Sequence, residues 1–358
     1  SNVQKPVPTF LFINNRGYEN MDPDRETKTP FWPAEYIVDR GYATAVFQVS
    51  EVAPDSPDSF QEGVHGIFDP EGDRPSNAWG TIAAWAWGAS RAMDYLETDP
   101  DIDSKWVAVV GHSRGGKAAL WAGATDERFD LVVSNDSGST GAAIARGKMG
   151  ETIEQINTRF PHWFNENYKT YNNKEYELPV DQHMLIASIA PRLVYVASAS
   201  EDTWADPESE FLSLVYAQSV YQLFGLEGLG THQFPENDSP LHGDGMGYHV
   251  RTGEHDLTVY DWKNFIDFWE PSSASDLKKL VSRFEEDGEF TNDKAPRSLQ
   301  LHLTAVGQFE KQEVAEKVIR YMESFKQLLD NQKKGDWISE RAYNSLIINA
   351  DKLIEMWK

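Results

Sequence analysis

The chain has no cysteine in 358 residues, which excludes disulfides, thiol nucleophiles and cysteine-ligated zinc together. It has no apolar run of ~18 residues, so nothing in it reads as a membrane span. Basic residues are scarce: 33 Lys and Arg stand against 57 Asp and Glu, a formal charge of -24. A surface of that sign repels a phosphate backbone, and nucleic acid is excluded as a partner. What is plentiful is apolar and aromatic. The chain is 40% hydrophobic with 12 Trp, a composition that rules out general disorder.

The shortage of basic residues is local. Residues 271–358 carry 14 Lys and Arg against 15 Asp and Glu, whereas residues 1–270 carry 19 against 42 and ten of the twelve Trp. The composition changes once, which predicts two domains, 1–270 and 272–358, across a short Pro271-Ser272-Ser273 linker. The first strand-like run begins at residue 9, almost at the start of the chain. We therefore expect upstream strands, and any signal peptide of an exported protein, to lie outside this chain.

Short β-branched or aromatic runs occur at 9–14, 43–49, 106–110, 130–134, 192–197 and 246–250. They lack period-2 alternation, as expected of strands buried on both faces. Helix-like segments at 33–40, 77–97, 115–125, 208–224 and 258–269 alternate with them. This grammar predicts an α/β fold with a doubly wound, mostly parallel sheet. Trp79, Trp85 and Trp87 on the 77–97 segment are expected in the core. After Ser273 only helical spacing remains, in apolar positions from Leu277 to Leu329 and a last helix from Ser339, a plausible N-cap, to Trp357. This stretch predicts a small all-α C-terminal domain.

One segment carries chemistry. An apolar strand runs into Gly111-His112-Ser113-Arg114-Gly115 and then into a small-residue helix, the strand–turn–helix context that a G-x-S-x-G nucleophile elbow requires. The glycines permit a strained turn and a close helix–strand approach. Ser113 is thus the candidate nucleophile, and it needs a base and an orienting acid. Chain order places these after the serine. His242, His249 and His255 are the candidate bases. His255, in the loop between the last strand and the last helix, occupies the expected place. His249 reads as a strand residue and His242 as part of a glycine-rich turn. Asp136 and Asp202 compete for the acid. Asp202 holds the usual position and is favoured, with Asp136 as co-acid. Arg114 offers a permanent charge beside the nucleophile, suited to a developing oxyanion. Lys117 lies one helical turn on, and Trp204 follows the acid.

Together, Gly111–Lys117, NDSGSTGAA (135–143), GETIEQINTRFPHWF (150–164), EDTWADP (201–207) and GYHVRTGEHDLTVYDW (247–262) resemble the glucuronoyl esterases of carbohydrate esterase family 15. The resemblance covers roughly residues 8–270. It implies an α/β-hydrolase fold and a serine carboxylesterase acting on (4-O-methyl-)glucuronoyl esters, such as lignin–glucuronoxylan linkages, without metal or organic cofactor. It matches Ser113 to the nucleophile, His255 to the base, Arg114 to an oxyanion-stabilising arginine and Lys117 to a lysine contacting sugar hydroxyls. Trp204 matches a tryptophan packing on the glucuronate ring, and Glu151 a polar sugar contact of bacterial members. Asp136 stands where many members place a catalytic Glu, and Asp202 at the acid position of bacterial relatives. His112 replaces the family cysteine before the serine, so the disulfide of fungal members cannot form. The expected member is bacterial, secreted or periplasmic.

Acetyl xylan esterases and prolyl-oligopeptidase-like peptidases share the fold without the Ser-Arg-x-Gly-Lys run. They remain alternatives, as does a non-catalytic carbohydrate-binding hydrolase-like domain. Residues 272–358 resemble the FIVAR- or FIMAH-type helical modules appended to polysaccharide-acting enzymes. Spacing, polysaccharide contact and cell-surface contact are all open roles for them.

Overall fold

The computed structural model describes residues 5–69, 72–147 and 149–358. They form two compact units, one from Val7 to Phe265 and one from Ile266 to Lys358. The first contains a seven-stranded sheet: β1 (Val7–Asn14), β2 (Ala43–Gln48), β3 (Ile102–His112), β4 (Leu131–Asn135), β5 (Leu193–Ala199), β6 (Leu241–His242) and β7 (Met246–Arg251). The spatial order is β2-β1-β3-β4-β5-β7-β6, and every pairing is parallel except β6 with β7.

The continuous apolar runs of the sequence are the inner strands. Val107–Val110, Leu131–Val133 and Val194–Ala197 are fully buried, because helices cover both faces of a parallel sheet. The two-residue β6 has no legible pattern and was not expected. Its His242 ring nitrogen lies 3.4 Å from the Tyr195 hydroxyl.

The helix expected at 77–97 starts later, at Thr81. Gly80 precedes it, passing so close to the next segment that a Cβ there would lie 2.1 Å from the Trp163 carbonyl oxygen. Trp79 therefore precedes the helix, and of the three tryptophans only Trp85 is fully buried, donating to the Ala53 carbonyl at 2.9 Å. Short helices at Ile153–Arg159 and Gln182–Ala187 were also not expected. The first carries its own signal. Thr152 and Gln155 form a reciprocal capping box, with Thr152 Oγ1 accepting from Gln155 N at 3.3 Å and Gln155 Oε1 from Thr152 N at 2.8 Å.

In the second unit, helices Ala274–Glu286, Lys294–Lys311, Ala315–Lys334 and Glu340–Met356 pack in sequence, and the first returns to the last. Leu277, Phe284, Leu303, Met322, Phe325 and Leu353 build the core. Ser339 caps the last helix as expected, and Ser273 of the linker caps the first. A single antiparallel bridge, Phe290 with Ile338, is the one β-type pairing described there.

Trp262 anchors the end of the first unit. It is fully buried, packs edge-on against Phe10 and Phe12 and donates Nε1–H to the Phe31 carbonyl at 3.1 Å. Trp262→Ala removes that bond and leaves a large cavity. It is expected to cost about 3–5 kcal/mol, read as a lower urea midpoint at unchanged m-value.

Candidate active site

The sheet places four loops side by side. Strands β3, β4, β5 and β7 are neighbours and parallel, so Ser113, Asp136, Asp202 and His255 all leave the same, C-terminal edge. In open α/β sheets that edge is where ligands bind.

Ser113 sits between β3 and the helix Arg114–Thr125 at φ 55° and ψ -123°. A non-glycine residue in this region is strained, and the surroundings hold it there. Its amide donates to the Asn135 carbonyl at 2.8 Å. The elbow depends most on Gly111, where a Cβ would lie 2.0 Å from the Gly115 carbonyl oxygen. With Gly111 and Gly115 in place, the first turn of the helix closes tightly on the strand. The first amides of that turn have no carbonyl within the helix to pair with and face the ligand edge.

His255 lies in the irregular segment after β7. Its Nδ1 is 2.6 Å from Asp202 Oδ2, with the His255 side chain 43% exposed and Asp202 buried. The N-cap of the helix Pro207–Leu223 is Asp206, while the other oxygen of Asp202, Oδ1, accepts from the Ala205 amide at 3.2 Å. Asp136 is held differently. It is 1% exposed, and neither carboxyl oxygen has a hydrogen-bond partner among the described residues. Burial pushes its carboxyl well above the usual range. The charges of Glu210, Asp261 and Asp202 add to this, while Arg251, 3.7 Å away, opposes it. Ligand-type atoms of Asp136, Asp202 and His255 all lie within 4.8 Å of one another. The imidazole is thus bonded to Asp202, with the buried carboxyl of Asp136 beside it.

His249 is fully buried and satisfied, Nε2 against Asp261 at 2.8 Å and Nδ1 against the Tyr195 hydroxyl at 3.0 Å. It does not line the cavity that holds His255. His112 is buried against Asn135 Oδ1 at 2.6 Å, and its ring centre is 4.5 Å from that of His255. Burial holds it well below the ordinary imidazole value, with the nearby His255 acting in the same direction.

Ser113, Arg114, Lys117, Asp136, Glu151, Asp202, Trp204 and His255 all line one cavity of about 340 Å³. Of the candidate bases only His255 is among them; His242 and His249 do not line the cavity. The engagements of the lining residues differ. Lys117 is buried, and its Nζ donates to the carbonyls of Ser137 and Ser139. Glu151 is buried, with its amide bonded to the Trp204 carbonyl at 2.9 Å. Trp204 is half exposed at the rim.

Arg114 is held by residues the sequence reading did not single out. Its Nη1 donates to Asp55 Oδ2, and its guanidinium lies 4.8 Å from the Trp163 ring centre and 5.1 Å from that of Phe160. Those two rings stack in parallel at 3.7 Å. Asp55 also accepts from His162 Nε2 at 2.8 Å and Trp163 Nε1 at 2.7 Å. Asp55 lies in a loop far upstream, with no local pattern to mark it. The capped helix before Phe160 was the available signal for the aromatic pair.

Burial alone would raise the Asp55 carboxyl, but the His162 bond, the Arg114 charge and the Trp163 bond bring it from 3.8 to about 2. A depressed carboxyl stabilises the fold above its unfolded value and loses that contribution as pH falls through the folded value. The stability gap between wild type and Asp55→Asn should thus be largest above about pH 5, of the order of 2 kcal/mol, and close toward pH 2. Urea unfolding across that range measures it, and a gap independent of pH contradicts it.

Two families match the chain: one described as "Glucuronyl esterase, fungi" over residues 31–225, and the FIMAH domain over residues 274–355. Carbohydrate esterase MZ0003, from an unknown prokaryotic organism, is 49% identical over 294 residues, which are 73% of this chain and 67% of that protein. The structure of a glucuronoyl esterase from Solibacter usitatus superposes with a TM-score of 0.69 at 42% identity, covering 75% of this chain and 74% of that one. The 4-O-methyl-glucuronoyl methylesterase 1 of Wolfiporia cocos is 34% identical over 196 residues, 52% of this chain. The chain spans about half the length of that fungal relative, 47%.

Proposed function

The chain belongs to the glucuronoyl esterases of carbohydrate esterase family 15, and from that premise we propose that it hydrolyses the ester between a (4-O-methyl-)glucuronic acid carboxyl and an alcohol, as in lignin–glucuronoxylan linkages. The observation that carries this reading is the strained Ser113 at the edge of a cavity that also holds an imidazole bonded to a buried carboxylate.

In the proposed sequence Ser113 Oγ attacks the ester carbonyl and His255 takes its proton. Asp202 accepts from His255 Nδ1 and stabilises the imidazolium that forms. The developing oxyanion meets the first-turn amides of the elbow helix and the charge of Arg114. His255 then returns its proton to the leaving alcohol. Water, deprotonated by the same imidazole, releases the uronate from the acyl-enzyme. The chemistry is complete with these groups and calls for no metal or organic cofactor. Lys117, Glu151 and Trp204 are assigned to the sugar: an ammonium and a carboxylate for hydroxyls, and an indole face for the ring. Their place in the cavity wall supports that assignment.

Hydrolysis of a benzyl glucuronate ester tests the reading. Wild type should turn it over and leave acetylated xylan untouched, while Ser113→Ala should lose about three to six orders of magnitude in kcat. Activity on acetylated xylan alone refutes it.

The two acids are separable by the same assay. Asp202→Asn removes the acceptor for His255 and is expected to lower kcat by about 10³–10⁴-fold. Asp136→Asn replaces a carboxyl that burial already disfavours as an anion, and should cost less than about tenfold. The reverse ranking makes Asp136 the orienting acid.

No helix among the described residues is long and apolar enough to cross a membrane. The proposed substrate is a wall polymer, which supports a secreted or periplasmic location. Residues 272–358 are assigned to polysaccharide or cell-surface contact. Retention of the chain on insoluble glucuronoxylan, compared with a chain ending at Glu270, measures the first of these.

A further inference from the structure

The base presents a mechanical problem. His255 lies on a segment without regular structure between β7 and the helix Val259–Trp269, and its half-exposed imidazole is bonded through Nδ1 to Asp202. One buried side chain crosses beneath that segment. Arg251 Nη2 donates to the Glu254 carbonyl at 2.6 Å and to the Asp256 carbonyl at 2.7 Å, the residues on either side of His255. Its Nε donates to Asp261 Oδ2 at 3.1 Å, and Asp261 is itself held by Thr258 N and Oγ1, each at 2.7 Å. Its Nη1 lies where a Cβ on Gly253 would come within 2.7 Å, so Gly253, at φ +135°, leaves room for the guanidinium. The arch is also tied to the turn that carries Asp202, because Ser200 N donates to the Arg251 carbonyl and Glu201 N to the Gly253 carbonyl, both at 2.9 Å.

We propose that Arg251 is the positioning residue of the catalytic base: a single buried guanidinium holds both carbonyls that bracket His255 and so fixes where its imidazole can point. The proposal rests on the reading of His255 as the base. It does not make Arg251 catalytic, since Arg251 does not line the cavity. A planar fork is required. Arginine directs separate donors at Asp261 and at two carbonyls, whereas lysine places all its donors on one nitrogen and keeps only the charge.

The test compares Arg251→Lys with wild type in three measurements. These are thermal unfolding, kcat and KM on the benzyl glucuronate ester, and the low-field proton resonance of His255 Nδ1–H, assigned by its absence in His255→Ala. A folded Arg251→Lys protein is expected to lose about 10²-fold in kcat with KM nearly unchanged, because the base is displaced while the sugar site is intact. Its low-field resonance should broaden or vanish. Wild-type kcat with an intact resonance overturns the proposal, as does a loss confined to KM. The resonance needs no substrate, so it distinguishes failure here from failure of the substrate reading. Should Arg251→Lys not fold, Gly253→Ala carries the same readouts with the guanidinium retained but displaced. If neither variant folds, Arg251 is assigned to stability and the proposal falls.

Discussion

The site depends on one close approach, that of the Gly115 backbone to Gly111. With no Cβ at 111, the helix after β3 begins hard against the strand, and Ser113 between them is held at positive φ. That strain is sustained by the most buried part of the molecule. β3 is flanked by β1 and β4, the Ser113 amide is bonded to the end of β4, and the elbow helix packs on both strands. A serine in a relaxed turn would not be presented at the ligand edge. Asp202 and His255 arrive by a simpler route, on loops whose strands are parallel neighbours and so must end on the same side.

The charge of the chain is distributed unlike the charge of its site. The hydrolase part is strongly acidic, yet its cavity is lined by three basic side chains, Arg114, Lys117 and Arg159, and three acidic ones, Asp136, Glu151 and Asp202. Two of the cations are fixed by specific partners: Arg114 by Asp55 and an aromatic pair, Lys117 by two carbonyls. Preorganised charge of this kind has little reorganisation left to do when the reaction begins. The excess of acid lies elsewhere on the domain, so the overall charge says little about the chemistry in the cavity.

Beneath the cavity the buried polar groups form a connected set. His112, Asn135, Asp261, His249 and Arg251 are linked by hydrogen bonds running from the elbow to the base loop. The replacement of cysteine by histidine at 112 reads from the sequence mainly as the absence of a disulfide. In the structure the residue is a participant: its imidazole joins that set and packs on His255. A half-satisfied network of this kind would be costly, and here all five members find partners.

The sequence by itself determined the order of the major strands and helices, the elbow, and eight of the residues that share the cavity. These are written locally, in apolar runs, in glycines at a fixed spacing and in motifs of a few residues. It favoured Asp202 over Asp136 as the partner of His255 without deciding between them, because both follow strands that end at the same edge. Only the tertiary structure decided that His255 bonds Asp202 while Asp136 is buried without a hydrogen bond. Asp55 and Arg251 were invisible for the same reason. Each acts on a group that folding brings to it, Asp55 on an arginine 59 residues away and Arg251 on carbonyls that converge only once the loop is closed. Such contacts depend on where chains meet in space, and no local pattern records them.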